Sequence, residues 1–424
     1  MARKKRILWH SDSPLAPTGF GGFGKYVLSY LNSTNKYEIF CLAGGMPSNS
    51  PDIQKLPWRV FPAINVNNQE QLQRANQDPN FARSMQYGDC ALEGAIAESR
   101  ADVYIGVQDF WGFEYALDKK FWNKINCVAH WTADSLPLLE TAVAKAPKIE
   151  HHYVWADFAR EEFHRLADEL EAQLPNIKDK NVENQAIERI KAYRRVKTLS
   201  GCVNEKAFRR LSQNERLELR QRYGIDKNTF VIVSGSRNQL RKAWPQQIEG
   251  FGQFKRQNPF IYTKMVICTD VNEGWDLEKH CKEHGVDPND ILLAYKCRAT
   301  QEIFLLPPRK GDFDNPRTGH KNSVRCVGIG NFVPEEELNS LLNLADTFLL
   351  CITSGGFELW LSQAKLTEVP TIATGYSCFS EQVGLDKGCL EVDCSFSYEI
   401  GTGFRKSSAS PSSIARQLKR VYDM

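Results

Sequence analysis

The chain has 424 residues, 25% of them charged and 42% hydrophobic, with a formal net charge of +3. That length exceeds what one hydrophobic core usually serves and predicts two domains, while so small a net charge gives no ground for a general binder of nucleic acid or anionic membrane. No apolar run approaches the roughly 20 residues of a membrane-spanning helix. The basic start Arg3-Lys4-Lys5-Arg6 leads into only three apolar residues before His10-Ser11-Asp12, so no secretion signal is expected. Twelve cysteines without a Cys-x-x-Cys pair, several inside apolar runs (Cys127, Cys268, Cys351), suit free thiols and a cytoplasmic location.

In chain order, short β-rich runs alternate with helical patterns. Ile7–Trp9, Glu38–Leu42, Val103–Val107, Cys127–Trp131, Tyr153–Ala156 and Thr198–Cys202 fill the first half; Phe230–Ser234, Lys264–Cys268, Ile291–Ala294, Thr347–Ile352, Thr371–Thr374 and Leu390–Val392 repeat the pattern in the second. Such alternation predicts an α/β protein with two parallel, Rossmann-like sheets. The expected domains are 1–208 and 209–410, with the seam inside the charged helical stretch Asn204–Gly224. A terminal segment, 411–424, carries Ile414, Leu418 and Val421 on one helical face and is expected to pack back toward the first domain. Arg160–Arg195 reads as one or two surface helices, and Arg298–Arg325 as a long loop.

Two segments carry the chemistry. Thr18-Gly19-Phe20-Gly21-Gly22-Phe23-Gly24 lies between a strand and a helical stretch, and four glycines in six residues call for close backbone approach or positive φ. Gly19, Gly21 and Gly24 also have dinucleotide-site spacing, but no acid ends the next strand, Glu38–Leu42, to hold a ribose. Ser234-Gly235-Ser236-Arg237-Asn238-Gln239-Leu240-Arg241-Lys242 is the more informative stretch, because it follows apolar Phe230–Val233 and sets three cations on the turn into a helix. Small residues let the backbone approach an anion, the helix start offers unpaired N–H groups, and Arg237 and Lys242 are spaced to share one diphosphate. Asp312-x-Asp314 has the spacing of a metal-binding pair, but it sits among Gly, Pro and Arg away from any strand end.

In order and spacing these segments and three others resemble the retaining GT-B glycosyltransferases of family 4, including phage-encoded forms, over nearly the whole chain. Thr18 to Gly24 resembles the family's loop near donor phosphate and acceptor. Ala129-His130-Trp131-Thr132-Ala133-Asp134-Ser135-Leu136-Pro137 resembles its block bearing a His or Asp near the transferred sugar. Ser200-Gly201-Cys202-Val203-Asn204-Glu205-Lys206-Ala207-Phe208 is similar to the Gly-Val-Asp-x-x-x-Phe block that begins the second domain, and Phe332-Val333-Pro334-Glu335-Glu336-Glu337-Leu338 to the block before the donor-site strand. Arg237 and Lys242 fall on the diphosphate-binding Arg and Lys. The departure is the Glu-x7-Glu motif, which falls on Ser354 to Ala364 and puts Gly355 and Gln363 in place of both glutamates. Gln363 keeps an amide oxygen for the ribose, and Glu358 is the carboxylate nearest to Gly355 in sequence.

The resemblance implies a GT-B architecture whose two domains face across a cleft, donor on the second and acceptor on the first. It implies a metal-independent hexosyl- or pentosyltransferase without cofactor, with a nucleotide-sugar, UDP-sugar foremost, as co-substrate. In such transfer the leaving diphosphate helps deprotonate the acceptor on the same face, so protein cations that stabilise it lower the barrier. The catalytic residues implied are His130, Asp134, Arg237 and Lys242. Gly21, Gly22, Gly356, Phe357, Glu358 and Gln363 would join the two cations around the donor, and Asp12, Thr18, Phe20, Trp131 and Asp134 would hold the acceptor. The acceptor itself stays open. A hydroxymethylated DNA base is one candidate, because Arg298, Arg309, Lys310, Arg317, Lys321 and Arg325 outnumber Glu302, Asp312 and Asp314 beside Phe304, Phe313 and His320; a polysaccharide, a protein or a small molecule are others. A sugar-nucleotide 2-epimerase of the same fold and a noncatalytic nucleotide-sugar-binding partner are the alternatives, and the oligomeric state is open.

Overall fold

The apolar runs of the first half pair edge to edge. In the computed structural model, which describes residues 3–328, 332–384 and 388–424, they form a seven-stranded parallel sheet. Its strands are β1 (Lys5–Asp12), β2 (Tyr37–Pro47), β3 (Arg59–Ile64), β4 (Val103–Asp109), β5 (Asn126–Thr132), β6 (His151–Val154) and β7 (Lys197–Thr198), in the order β3-β2-β1-β4-β5-β6-β7. Its central strands are covered on both faces, which is why they read as continuous apolar runs rather than alternating ones. Leu8, Leu42, Tyr104, Phe110 and Trp131 form the core with Ala159, Phe163 and Ala167 of the helix Asp157–Gln173 and Ile190 and Tyr193 of the helix Lys180–Arg194. β3 has no counterpart among the predicted strands. It contains Pro62, which lacks an N–H and is tolerated because β3 lies at the sheet edge.

The second half builds a sheet of eight strands: β8 (Phe230–Gly235), β9 (Thr263–Cys268), β10 (Ile291–Cys297), β11 (Ile303–Leu306), β12 (Val324–Cys326), β13 (Thr347–Leu350), β14 (Thr371–Thr374) and β15 (Cys389–Val392). The order is β11-β10-β9-β8-β13-β14-β15, with β12 also on β10, and a separate hairpin pairs β16 (Cys394–Tyr398) with β17 (Arg405–Ala409). Arg298–Arg325 is therefore not the long loop expected from its sequence. β11 and β12 both run antiparallel to β10, and a further bridge joins Phe313 to Val324. Apolar strands of three and four residues between charged turns are too short for periodicity to reveal.

Contacts divide the chain into two compact units, 1–202 and 203–424. The division precedes the expected 208/209 boundary for a polar reason. Asn204 Nδ2 donates to Glu335, and the amides of Arg209 and Leu211 donate to Asn339 Oδ1 (3.0 Å) and Asn343 Oδ1 (2.9 Å), all three on the helix Glu335–Asn343. The terminal helix Pro411–Tyr422 lies within the second unit. It packs on the helix Trp244–Gln257 of its own unit, with Ile414, Leu418 and Val421 in that core, and Gly250 leaves the room that Ile414 fills. Among the described residues no helix is long and apolar enough to cross a membrane.

Candidate functional site

Open parallel sheets bind ligands beyond the carboxyl ends of their strands, where the strand order reverses direction. In the second unit that point lies between β8 and β13. The chain leaves β8 through Ser236 to Gln239, makes a tight helical turn at Leu240–Lys242, and enters the helix Trp244–Gln257 through Ala243 at φ +46°. Gly235 ends β8 because a Cβ there would meet the Trp360 ring at 2.5 Å. That close approach docks the helix Leu359–Leu366, which follows β13, onto the end of β8.

Lys242 is 4% exposed, and its Nζ forms an ion pair with Glu358, itself 8% exposed. Arg241 Nη1 stands 3.9 Å from the same carboxylate and donates to the Ser354 carbonyl at 3.2 Å. Lys406, on β17, donates to Ser354 Oγ at 3.0 Å. The Glu358 carboxylate folds back over Gly355, with Oε1 3.3 Å from where a Cβ on residue 355 would stand and Arg241 Nη1 3.7 Å from the same point. A carboxylate thus occupies the space from which the absent side chain at 355 would grow. Among the described residues, buried Gln363 Oε1 has no hydrogen-bond partner, nor has Ser236 Oγ just past β8. An unpaired buried acceptor costs free energy unless a ligand satisfies it.

Arg237 is placed differently from Lys242. It is about half exposed and pairs with Glu273 at 3.0 Å, so Arg241 rather than Arg237 shares the Glu358 carboxylate with Lys242. Sequence reasoning missed Arg241, Ser236 and Lys406 as members of the site. The first two stand inside the informative segment, but Lys406 comes from a hairpin far along the chain with no motif around it. Gly356 is buried and Phe357 half-buried in the loop between β13 and its helix. That helix begins at Leu359, with the Glu358 amide donating to Gln382 Oε1 at 3.3 Å.

In the first unit the strand order reverses between β1 and β4. Asp12 ends β1; its two oxygens accept from Thr18 Oγ1 (2.6 Å) and Gln108 Nε2 (2.6 Å). Burial raises its pKa above the ordinary value near 3.8 against the lowering effect of those two bonds. Asp109 ends β4 and accepts from Thr132 Oγ1 at 2.7 Å. Burial raises the Tyr87 pKa, and the negative charges of Asp12 and Asp109 raise it further, so its hydroxyl lies in the field of both carboxylates. Gln108, Asp109 and Tyr87 were not foreseen, although the polar pair Gln108-Asp109 follows directly on a predicted strand.

Several expected members of this unit's site are otherwise engaged. The glycine-rich stretch is not a loop: the helix Gly19–Ser33 starts within it. Thr18 caps that helix, so the Gly21 amide donates to Thr18 Oγ1 (3.0 Å) and the Gly22 amide to the Thr18 carbonyl (2.9 Å). None of these glycines has positive φ. Gly21 is required by packing, because a Cβ there would overlap the Ala16 carbonyl oxygen and come 2.7 Å from that of Ser13. Trp131, expected against the acceptor, is fully buried and donates Nε1 to His152 Nε2 at 2.8 Å. His130, expected at the sugar, is 2% exposed and donates Nε2 to the Leu199 carbonyl at 2.6 Å while stacking on Trp155. Burial pushes its pKa down to about 4, so the ring is neutral at pH 7. Phe20 lies half-buried edge-on to Trp155, and Asp134 is half-buried just past β5.

The Asp312-x-Asp314 pair is also committed, Asp312 to Arg298 and Asp314 to Lys321 and the Asn322 amide. The other cations of Arg298–Arg325 follow suit. Arg317 pairs with Glu302 and Lys310 with Asp276, Arg325 lies 3.8 Å from Asp270 and Asp312, and Arg309 stacks on Phe313.

Two such parallel α/β units make the GT-B fold seen in glycosyltransferases of known structure. Solved structures sharing the fold include a glycosyltransferase from Rickettsia africae (TM-score 0.60, 11% identity, covering 100% of this chain and 89% of that one). Others are HepE of Anabaena in complex with UDP-glucose (0.59, 12%, 99% and 90%) and sucrose-phosphate synthase of Thermosynechococcus elongatus (0.58, 12%, 99% and 90%). No protein-family model matches the chain, and no curated protein sequence matches it significantly.

Proposed function

We propose that this protein is a glycosyltransferase that moves a sugar from a nucleoside-diphosphate sugar to an acceptor hydroxyl with retention of anomeric configuration. The observation that carries the reading is the buried Lys242–Glu358 pair with Arg241 beside it, set at the reversal point of the second sheet. A buried cation just past a strand end stabilises the charge that grows on a leaving diphosphate. Glu358 holds that cation in the resting protein, and from its place over Gly355 it accepts hydrogen bonds from sugar hydroxyls. Gln363 Oε1 accepts from the ribose as a neutral partner. UDP-glucose bound to the similarly folded HepE supports a uridine diphosphate sugar as donor.

For the acceptor we favour a polyhydroxyl compound over a nucleic acid. Asp12 and Asp109 at the first sheet's reversal point repel a phosphate backbone but accept readily from hydroxyls, and the cations of Arg298–Arg325 are engaged with acids or rings of their own unit. The test is incubation with mixed UDP-, GDP- and ADP-sugars and a panel of glycans, small polyols and hydroxymethylated DNA, followed by mass spectrometry. Transfer to a glycan or polyol is expected. A changed free sugar nucleotide would instead identify a 2-epimerase, and binding without turnover a noncatalytic partner.

A further inference from the structure

On the helix Leu277–Glu283, far in sequence from the residues above, three side chains converge. His280 and His284 are four residues apart and therefore on one face, with Glu283 beside them. The helix is fixed from below by buried Leu277 and Cys281, and the Trp275 ring meets His280 edge-on at 5.5 Å. One ligand atom from each of the three residues can be chosen so that all lie within 4.8 Å of one another. His280 Nδ1 is only 2.9 Å from Glu283 Oε2, yet it is buried and makes no hydrogen bond among the described residues. Two lone-pair atoms that close, not aimed at each other, point to a shared third position. Donors bound to one tetrahedral ion at about 2.0–2.2 Å stand roughly 3.5 Å apart, a spacing this pair reaches by a small side-chain rotation.

We propose that His280, Glu283 and His284 bind a divalent transition-metal ion of the zinc class. Two imidazoles and one carboxylate select zinc, nickel or copper over calcium and magnesium, which take oxygen ligands. His284 caps the helix C-terminus, and its carbonyl accepts from Arg256 Nη1 at 2.6 Å. The widest donor pair closes by side-chain rotation as the ion binds, and the open positions take water. The site owes nothing to the sugar chemistry and stands whether or not that reading holds.

The experiment is zinc titration of the full chain against a chromophoric chelator, with cobalt(II) as a spectroscopic probe. One zinc per chain is expected, undisturbed by excess magnesium. His280→Ala and His284→Ala should each weaken it roughly tenfold or more, since loss of an outer-shell partner alone costs 10–100-fold. Should His280→Ala fold poorly, judged by metal-free melting, His284→Gln carries the same test from the helix C-cap. Absence of zinc binding, equal affinity in the double histidine variant, or a thiolate-to-cobalt charge-transfer band would overturn the proposal, the last by assigning the metal to cysteines.

Discussion

Three buried histidines make the first unit acid-sensitive. Burial pushes the pKa of His10 and His130 down to about 4 and that of His152 to about 3, the last helped by the Arg195 charge. Each is held in a defined neutral tautomer. His152 Nε2 accepts from Trp131 Nε1, and His10 takes the Tyr104 hydroxyl on Nδ1 while donating Nε2 to the Tyr87 carbonyl. In the unfolded chain these groups bind protons near pH 6.5, above their folded values, so their contribution is present above pH 6.5 and lost as pH falls toward 4. Between pH 6.5 and 4.5 each histidine removes about 2 kcal/mol, about 6 in total, against a typical domain stability of about 5–15 kcal/mol. Asp12 works the other way, since its raised pKa favours the folded state on protonation, but it is one group against three. Urea melts followed at several pH values by tryptophan fluorescence measure the slope. His152→Gln, whose amide oxygen can still accept from Trp131, should flatten it by about a third. A slope unchanged in that variant, or a wild-type stability level from pH 6.5 to 4.5, would refute the argument.

Lys242→Ala should lower transfer by roughly 100-fold or more and destabilise by about 3–5 kcal/mol, because it strands the buried Glu358 carboxylate. Arg237→Ala, at a solvent-exposed pair, should cost far less of both, and steady-state kinetics with melting separates the two. Gln363→Ala should weaken nucleotide binding by about 1–2 kcal/mol in calorimetric titration, whereas Gln363→Glu should keep or tighten it; equal affinities would remove Gln363 from the ribose. Gly21→Ala should destabilise by about 1–3 kcal/mol through overlap with the Ala16 carbonyl, while Gly19→Ala, with open space around it, should be nearly silent in thermal melts. Neutralising Arg309, Lys310 and Arg317 together should leave duplex-DNA binding at low salt as weak as in the wild type by fluorescence anisotropy, and a salt slope reduced by about 3 would revive the nucleic-acid acceptor.

The sequence by itself determined the two α/β halves and their central strands. A strand covered on both faces must be apolar throughout, so β1, β5, β8 and β13 show as local runs with no knowledge of their neighbours. The cationic turn after β8 was legible for the same local reason, since Arg237, Arg241 and Lys242 sit within six residues. Tertiary structure alone decided which of those cations is buried. Lys242 reaches Glu358 because Trp360 packs on Gly235, and that fixes the second strand-end loop against the first. It also decided that the glycine-rich stretch is a helix start, with Gly21 required by the carbonyls of the preceding turn. His130 and Trp131 look functional in a linear motif because their residue types are chemically able. Only the tertiary structure shows that burial neutralises the one and encloses the other. Lys406, Asp109 and the boundary at 202/203 depend on contacts between residues many positions apart, and no local pattern encodes such contacts.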